Sequence, residues 1–338
     1  MKRKSIAILV VILITILILI TLPKHKLPYR ESGRTVILEL RDCRIRMDLE
    51  QFIPLVLMAE MPYDSPRELM KAQAVVIRTH ILYGMGGKKE MTADEIGLPY
   101  RTPEQLKRLW FEEEKVQKAD EISGMVGNLL GWGEGEIFTR KMNRLYDIIG
   151  ETEGRVLKIQ GKLILSLFHR LSNGKTRDGK EVLGEDFSYL LSKDCQQDME
   201  ASSYNSFVEL SVKEIFDGLE KRGIVAFQKG SEVVGKNMTV QEFVDFLKIE
   251  ETDSKGYVKV LSLGDVKVDG MDFAQALGLK SPAFDAEVRD DKIVFSVRGD
   301  GHGLGMSLHQ AEIMAKQGKT YREILVNFYD AALVKNID

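Results

Sequence analysis

Two helix-start signals on either side of a proline constrain the fold of this chain more than any other feature. Asp48 followed by Gln51 forms a capping-box pattern, which predicts that a helix begins there. Pro62 ends that helix, because the residue before a proline is disfavoured in the helical region. A second capping box begins at Ser65 and predicts another helix that runs to about Gly84. The sequence therefore predicts two helices that meet at a corner.

Glu60 lies at this corner, and its spacing leaves its environment open. It follows Leu57, Val56 and Ile53 by three, four and seven residues, which places it on the apolar face of the first helix. Burial and the negative end of the helix dipole would both raise the pKa of this carboxyl, as suits a general acid. The alternative is a glutamate turned out to water. Because glutamate is seldom buried, spacing alone favours that alternative.

Composition places the chain among ordinary globular proteins. It has 338 residues, 44% of them hydrophobic and 29% charged, which is enough to bury a core as one large domain or two modest ones. The formal net charge is −3, and without the basic residues at the amino terminus the remainder is more acidic still. This balance argues against nucleic acid as a partner.

An unbroken apolar run near the amino terminus predicts a membrane anchor. Residues 6–22 read IAILVVILITILILITL and follow the start MKRK. A helix of this length measures about 26 Å, which is near the lower limit for crossing a bilayer. No A-x-A cleavage site follows, so we expect an uncleaved anchor rather than a signal peptide. Basic residues flank both ends of the run, but the start MKRK favours an internal amino terminus. We therefore expect a cytoplasmic stub, anchor and linker in residues 1–28 and an extracytoplasmic domain in residues 29–338.

Strand and helix signals alternate along that domain, which predicts an α+β fold in which helices and antiparallel strands form a cleft. Alternating segments predict an exposed strand or hairpin at 35–46, two strands around Gln160-Gly161 followed by a polar loop at 155–176, and a hairpin around Asp290-Asp291 at 286–297. Residues 206–222 and 240–247 are predicted to be helical. The two cysteines, Cys43 and Cys195, have no metal-like spacing. A disulfide between them is permitted outside the cytoplasm, but two free thiols are the simpler expectation.

A glycine-rich turn at 298–317, RGDGHGLGMSLHQAEIMAKQ, lies between a predicted strand and a predicted helix. It lacks the lysine and hydroxyl of a phosphate loop, and no βαβ unit of the right length surrounds it as a dinucleotide fingerprint requires. His302 is flanked by glycines, which cost stability unless their conformation is needed, so we favour a functional role for it. His169, Ser172 and Thr176 cluster where another predicted strand ends. A lone histidine at such a strand end is more often structural.

Four separated motifs stand out along the chain, and they are AEMP at 59–62, KAQAVVIRT at 71–79, FHRLSNGKT at 168–176 and GHGLGMS at 301–307. Together they resemble the SpoIID/LytB family of peptidoglycan-cleaving sporulation proteins. Their order and spacing match the family, whereas residues 86–150 match poorly and read as a helical insertion. A single anchor ahead of an extracytoplasmic domain is also typical of the sporulation branch.

The resemblance implies a lytic transglycosylase that cuts the bond between N-acetylmuramic acid and N-acetylglucosamine and leaves an anhydro-sugar end. It implies that Glu60 is the general acid and that no second carboxylate nucleophile is needed, unlike in the usual two-carboxylate glycosidase. No metal or other cofactor is implied. The implied partners are peptidoglycan glycan strands, which in some cases are stripped of stem peptides, the membrane, and a cell-wall amidase with other engulfment proteins.

Further site residues are also implied by the resemblance, with substrate-contacting or site-shaping roles. They are Lys71, Gln73, Arg78, His169, Ser172, Thr176, His302 and Ser307. Lys71 or Arg78 suits the lactyl carboxylate of the muramic sugar. The chain departs from the family pattern at four positions, which are Arg170 in place of serine, Asn173 in place of glycine, Leu308 in place of glutamine and Gln310 in place of glycine.

Two other functions stay open on the sequence. These departures would suit a glycan-binding or amidase-stimulating protein that keeps the fold with weakened catalysis. A metal-dependent hydrolase that uses His169, His302 and a carboxylate is a second alternative, although no HExxH or similar spacing supports it.

Overall fold

The computed structural model describes residues 30–119, 133–224, 228–229, 232–233, 235, 238–329 and 333–336. The anchor predicted at 6–22 lies outside these residues. Among the helices that are described, none combines the length and the apolar character needed to cross a membrane.

The described residues form helices and short strands that alternate along the chain. The helices are α1 (Leu49–Glu60), α2 (Arg67–Met85), α3 (Ala93–Ile96), α4 (Pro103–Ala119), α5 (Glu134–Gly150), α6 (Gly179–Leu183), α7 (Val212–Lys221), α8 (Val240–Phe246), α9 (Gly270–Ala276), α10 (Leu308–Lys316) and α11 (Tyr321–Phe328). The strands are β1 (Thr35–Glu39), β2 (Arg44–Asp48), β3 (Glu90–Thr92), β4 (Arg155–Ile159), β5 (Lys162–Leu163), β6 (Phe168–His169), β7 (Asn205–Leu210), β8 (Gln228–Lys229), β9 (Glu232–Val233), β10 (Leu247–Thr252), β11 (Val258–Leu263), β12 (Val266–Asp269), β13 (Phe284–Arg289), β14 (Lys292–Arg298), β15 (Met306–Ser307) and β16 (Leu333–Asn336).

The strands pair into several small sheets rather than one large one. Antiparallel pairing joins β2 to β1, β10 to β11 to β12, β13 to β14 to β7, β16 to β4 to β5, and β8 to β9. Two pairs are parallel, β1 with β3 and β6 with β15. Mixed helices and mostly antiparallel sheets confirm the predicted α+β class.

The first half of the predicted corner is confirmed in detail. The backbone N–H of Glu50 donates to the Asp48 carboxylate at 2.8 Å, and the Asp48 N–H donates to the Gln51 side chain at 3.0 Å. These reciprocal bonds satisfy donors that a helix start would otherwise leave unpaired. Helix α1 ends at Glu60, two residues before Pro62, as the proline predicted.

The prediction of a second capping box at Ser65 is wrong. Helix α2 begins at Arg67, so Pro66 and not Ser65 is its N-cap, and no side chain caps it. Glu68, the expected partner of Ser65, instead accepts a hydrogen bond from the N–H of Tyr321 at 2.7 Å, at the start of α11. A tertiary contact with a distant helix has replaced the local one.

The hairpin predictions are confirmed by β1–β2, β4–β5 and β13–β14. Gln160 and Asp290 have φ values of 50° and 55°, the left-handed conformation that such tight turns require. The helix predicted at 206–222 is wrong in its first part, because 205–210 form β7, which pairs with β14, and only Val212–Lys221 is helical. Cross-strand hydrogen bonds to β14, far along the chain, decide this conformation.

Two hydrophobic clusters hold the described residues together. The first is built on α1, α2 and α5 and includes residues of α10 and α11. The second lies among α7, α8, α9 and the sheets around β11 and β14. The segment 170–177 and the glycine-rich turn at 299–305 join the two clusters through hydrogen bonds to Tyr204, Asp253 and Tyr257.

Both cysteines are free, as expected. Cys43 is exposed in the turn between β1 and β2, whereas Cys195 is fully buried. Burial raises the pKa of the Cys195 thiol far above its ordinary value, so this group stays protonated and inert.

Candidate active site

Glu60 is the last residue of α1, and its side chain is only 10% exposed. The apolar placement that its spacing left open is therefore the observed one. Burial raises the pKa of this carboxyl above its ordinary value. The positive charge of Arg170 acts against that shift, and the negative charge of Asp300 adds to it. Glu60 is thus a shielded carboxyl whose protonated form is favoured.

Arg170 approaches Glu60 from the loop after β6. Its Nε lies 3.7 Å from Glu60 Oε2, and its Nη2 donates to the Ala59 carbonyl at 3.2 Å. The backbone of Arg170 is held at both ends, since its N–H donates to the Asp300 carbonyl and its carbonyl accepts from the His309 N–H. The arginine that replaces the family's serine is therefore the nearest charge to Glu60.

The motifs at 168–176 and 301–307 meet through the parallel pairing of β6 with β15. Glycine is required at this meeting. A Cβ on Gly305 would lie 1.9 Å from the Leu167 carbonyl oxygen, and one on Gly301 would lie 2.7 Å from His169 Cβ. Both glycines also have positive φ, at 73° and 116°. The glycine-rich turn therefore serves to bring its backbone against the strand that ends at His169.

His169 and His302 lie side by side, with ring centroids 5.8 Å apart. His169 Nδ1 lies 3.1 Å from the Leu304 carbonyl and must donate to it, so its buried Nε2 is an acceptor that has no partner among the described residues. His302 Nδ1 accepts from the Leu304 N–H at 3.0 Å. Burial lowers the pKa of His169 to about 3 and that of His302 to about 4. Both rings are neutral at physiological pH and act as hydrogen-bonding groups rather than cations.

Asp198, which no sequence motif marked, joins the two serines of these motifs. Its buried carboxylate accepts hydrogen bonds from Ser172 Oγ at 2.7 Å and from Ser307 Oγ at 2.8 Å. The Ser172 N–H donates to it at 2.8 Å, and His309 Nδ1 lies 3.3 Å away. Ser307 also caps α10. Ser172 and Ser307 therefore serve to fix the two loops to one carboxylate.

The basic residues of α2 are engaged within the protein. Arg78 is fully buried and forms two hydrogen bonds to the Glu50 carboxylate, at 2.6 and 2.7 Å. Lys71 is 9% exposed and pairs with Glu68 and, at 3.0 Å, with Glu151. These partners fix α2 to its neighbours, so we take neither side chain as a free cation for substrate.

Gln73 and Thr176 are also buried. Thr176 Oγ1 accepts from the Lys193 N–H at 2.7 Å, which orders the loop that follows β6. Gln73 is completely buried in α2, and neither its side-chain oxygen nor its nitrogen has a hydrogen-bond partner among the described residues. Such an unpaired amide is costly, because a buried polar group loses its hydration without compensation.

An open cleft of about 340 Å³ lies directly against Glu60. Its walls are residues 58–63 of the corner together with Arg101, Leu109, Trp110, Glu113 and Arg170. Trp110 is 1% exposed and packs its ring against Tyr63, so it supports the wall as a core residue. The segment 86–150 thus supplies four of the wall residues of the cleft. His169 and His302 are not among its wall residues.

Arg101, Arg170 and Asp198 are the residues that the sequence did not mark as part of the site. Arg170 was visible only as a departure from a family motif, and Arg101 lies in the segment with no assigned role. Asp198 sits in a short 3₁₀ turn without any surrounding pattern. Within the described part of the chain, no three His, Cys, Asp or Glu side chains are grouped so that they could hold a metal ion.

These features define an α+β protein whose cleft presents one shielded carboxyl at a helix corner. The model of the SpoIID family of stage II sporulation proteins matches residues 43–158, which include both corner helices. Stage II sporulation protein D of Bacillus subtilis is 26% identical over 290 residues, covering 86% of this chain and 75% of the relative. The protein of the same name from Bacillus amyloliquefaciens is 24% identical over 298 residues, with the same coverage. An uncharacterized protein of Brachyspira hyodysenteriae is 23% identical over 291 residues, covering 84% and 66%.

Residues 43–158 therefore match the SpoIID family, and the chain as a whole is similar to stage II sporulation protein D over most of its length. The motif at 59–62, which carries Glu60, and the motif at 71–79 both fall within the matched range.

Proposed function

We propose that this protein is a peptidoglycan lytic transglycosylase with Glu60 as its only proton-transferring carboxyl. The observation that carries this proposal is the position of Glu60, nearly buried at the wall of an open cleft, where burial raises the pKa of its carboxyl. A general acid must hold its proton near the working pH and must also reach the substrate. The raised pKa of Glu60 favours the first condition, its position at the cleft wall provides the second, and the match to the SpoIID family model supports a cell-wall substrate.

In the proposed reaction Glu60 first donates a proton and later accepts one. Protonated Glu60 gives its proton to the glycosidic oxygen between N-acetylmuramic acid and N-acetylglucosamine, and the bond from that oxygen to C1 of the muramic sugar breaks. The 6-hydroxyl of the same sugar then closes on C1 and returns its proton to the Glu60 carboxylate. Arg170 stabilises the carboxylate between the two transfers, because its guanidinium is the nearest positive charge.

Replacement of the acid tests this role. Glu60→Gln keeps the shape of the side chain but cannot supply the proton, so release of product from purified glycan strands should fall by at least about a hundredfold. Circular dichroism and the thermal midpoint of the variant should match those of the wild type. Normal turnover by a folded Glu60→Gln protein would refute the role of Glu60.

A binding or amidase-stimulating function is the alternative for this fold. Leu308, one of the departures from the family pattern, is 6% exposed and belongs to the first hydrophobic cluster. This change therefore lies in the core and not at the wall of the cleft. Strands that bind to the wild type and are recovered uncut, together with a faster partner amidase, would favour the alternative.

We also propose that residues 6–22 anchor the protein in the cell membrane with the catalytic domain outside. The apolar run and its basic start support this placement. An amidase that strips stem peptides would then supply the naked strands. Retention of the full chain in membranes after alkaline extraction, with the domain open to added protease in spheroplasts, is the expected result. Release by alkali would contradict the anchor.

A further inference from the structure

Two arginines from different parts of the chain donate hydrogen bonds to the end of α1. Arg101 Nε donates to the Met58 carbonyl at 2.8 Å, and Arg170 Nη2 donates to the Ala59 carbonyl at 3.2 Å. The last carbonyls of a helix lack partners within the helix and carry its negative dipole end, which explains why both cations gather there. One from the 86–150 segment and one from the loop after β6 thus stand beside Glu60.

Neither guanidinium is used up by these contacts. Arginine has five N–H donors, and the carbonyl bonds take one from each residue. The side chain of Arg170 is 54% exposed, and Arg101 is exposed while its backbone N–H is fixed to the Leu55 carbonyl at 3.0 Å. No carboxylate of the described residues pairs with Arg101. Both side chains line the cleft, so each has donors left to bind a ligand there.

The charged residues that line the cleft give it a net positive charge with which a ligand could interact. Glu113, the other acidic wall residue, pairs with Lys141 at 3.1 Å. Glu60 carries no charge in the protonated form that acid catalysis requires. Asp300 faces Glu60 from the glycine-rich turn and offsets one cation at most. The site therefore favours an anion, and the planar fork of arginine favours a carboxylate in particular.

We propose that Arg101 and Arg170 form a carboxylate-binding subsite in the cleft beside Glu60, which takes the lactyl carboxylate of an N-acetylmuramic acid residue. This inference rests on the proposed function, since it assigns the anionic group of the same glycan substrate. It also replaces Lys71 and Arg78 in that role, because the cations of those two residues are already paired inside the protein. The subsite would select muramic-containing strands over neutral glucosamine polymers.

Binding of matched glycans to the full chain tests the subsite without any need for turnover. The probes are denuded glycan strands, the same strands with their carboxylates reduced to alcohols, and a neutral N-acetylglucosamine hexamer. We expect the wild type at low temperature to bind intact strands about tenfold more tightly than reduced strands, and to lose this difference in high salt. Equal binding of intact and reduced strands by the wild type would overturn the proposal without any variant.

Variants of the two arginines test whether these residues cause the preference for intact strands. Arg101→Gln combined with Arg170→Gln should bind both forms of the strand with the weak affinity of the reduced form. Arg108→Gln is the matched control, because Arg108 is exposed on the same helix as the cleft wall and does not line the cleft. A folded double variant that still prefers intact strands would overturn the proposal.

The outcome for the subsite is distinguishable from that of the reaction. Carboxylate-dependent binding without any cleavage would support the subsite and refute the transglycosylase. Equal cleavage of intact and carboxylate-reduced strands would support the transglycosylase and refute the subsite.

Discussion

Glu60 and Arg170 form a pair with opposite effects on the availability of the proton. Burial keeps the proton on Glu60 by raising the pKa of its carboxyl, whereas the arginine lowers that pKa. The group therefore balances holding the proton against releasing it to a leaving oxygen. The serine that the family pattern has at position 170 would carry no charge, so this chain has shifted that balance.

Arg170→Ser should move the pH dependence of the reaction. Without the nearby positive charge the pKa of Glu60 rises further, and a general acid is active only below its own pKa. The alkaline limb of the kcat profile on denuded strands should therefore shift to higher pH, while Arg108→Ser leaves it in place. A limb that stays fixed or moves to lower pH would show that another group supplies the proton.

Asp198 stabilises the fold through the hydrogen bonds that its carboxylate accepts. Asp198→Ala would leave Ser172 Oγ, Ser307 Oγ and the Ser172 N–H buried without an acceptor. We expect a loss of about 3 kcal/mol in the free energy of unfolding, measured by urea denaturation. Asp186→Ala, at an exposed position nearby in the chain, should change it by less than about 0.5 kcal/mol. Equal midpoints for the two variants would contradict this role.

At the scale of elements, the site depends on the close approach of the glycine-rich turn to β6. The two-residue pairing of β6 with β15 places the second histidine motif against the first, and it leaves no room for a side chain at Gly305. The same pairing positions the Arg170 loop, whose carbonyl accepts from the N–H of His309 at the start of α10. Glu60 on α1 thus depends on an element far along the chain.

Two glycines that differ only in their surroundings test this dependence. Gly305 and Gly318 both have positive φ, at 73° and 85°, but only an added Cβ at Gly305 would meet backbone atoms. Gly318→Ala should cost about 1 kcal/mol in the free energy of unfolding from backbone strain alone. Gly305→Ala should cost at least about 3 kcal/mol and should also abolish turnover. Similar losses for the two variants in thermal unfolding would mean that the approach is not required.

Across the whole molecule, the sequence predicted those elements whose determining residues lie close together in the chain. The capping box at Asp48 and the hairpin turn at Gln160-Gly161 each depend on residues a few positions apart, and both are observed. The helix predicted from residue 206 failed because β14, at 292–298, holds that segment as a strand. Long-range pairing overrode the local pattern there.

The motifs of the site could be predicted from the sequence, but the contacts between its residues could not. Helical spacing placed Glu60 on an apolar face but could not decide its exposure, which Arg170 and the cleft wall determine from elsewhere in the chain. Spacing likewise placed Arg78 on α2 without showing its ion pair with Glu50, 28 residues earlier. Asp198 has partners 26 and 109 residues away, and no pattern of the sequence links such positions.

The identity of the sugar end released from denuded glycan strands tests whether Glu60 performs lytic cleavage. If Glu60 transfers both protons and no water enters, mass spectrometry should find 1,6-anhydromuramic acid ends with the wild type and none with Glu60→Gln. Reducing ends in place of anhydro ends would mean that water is the nucleophile, as in a two-carboxylate glycosidase, and Asp300, whose charge acts on Glu60, would be the candidate for the second carboxylate. Either that result or anhydro products from the folded Glu60→Gln variant would refute lytic cleavage by Glu60.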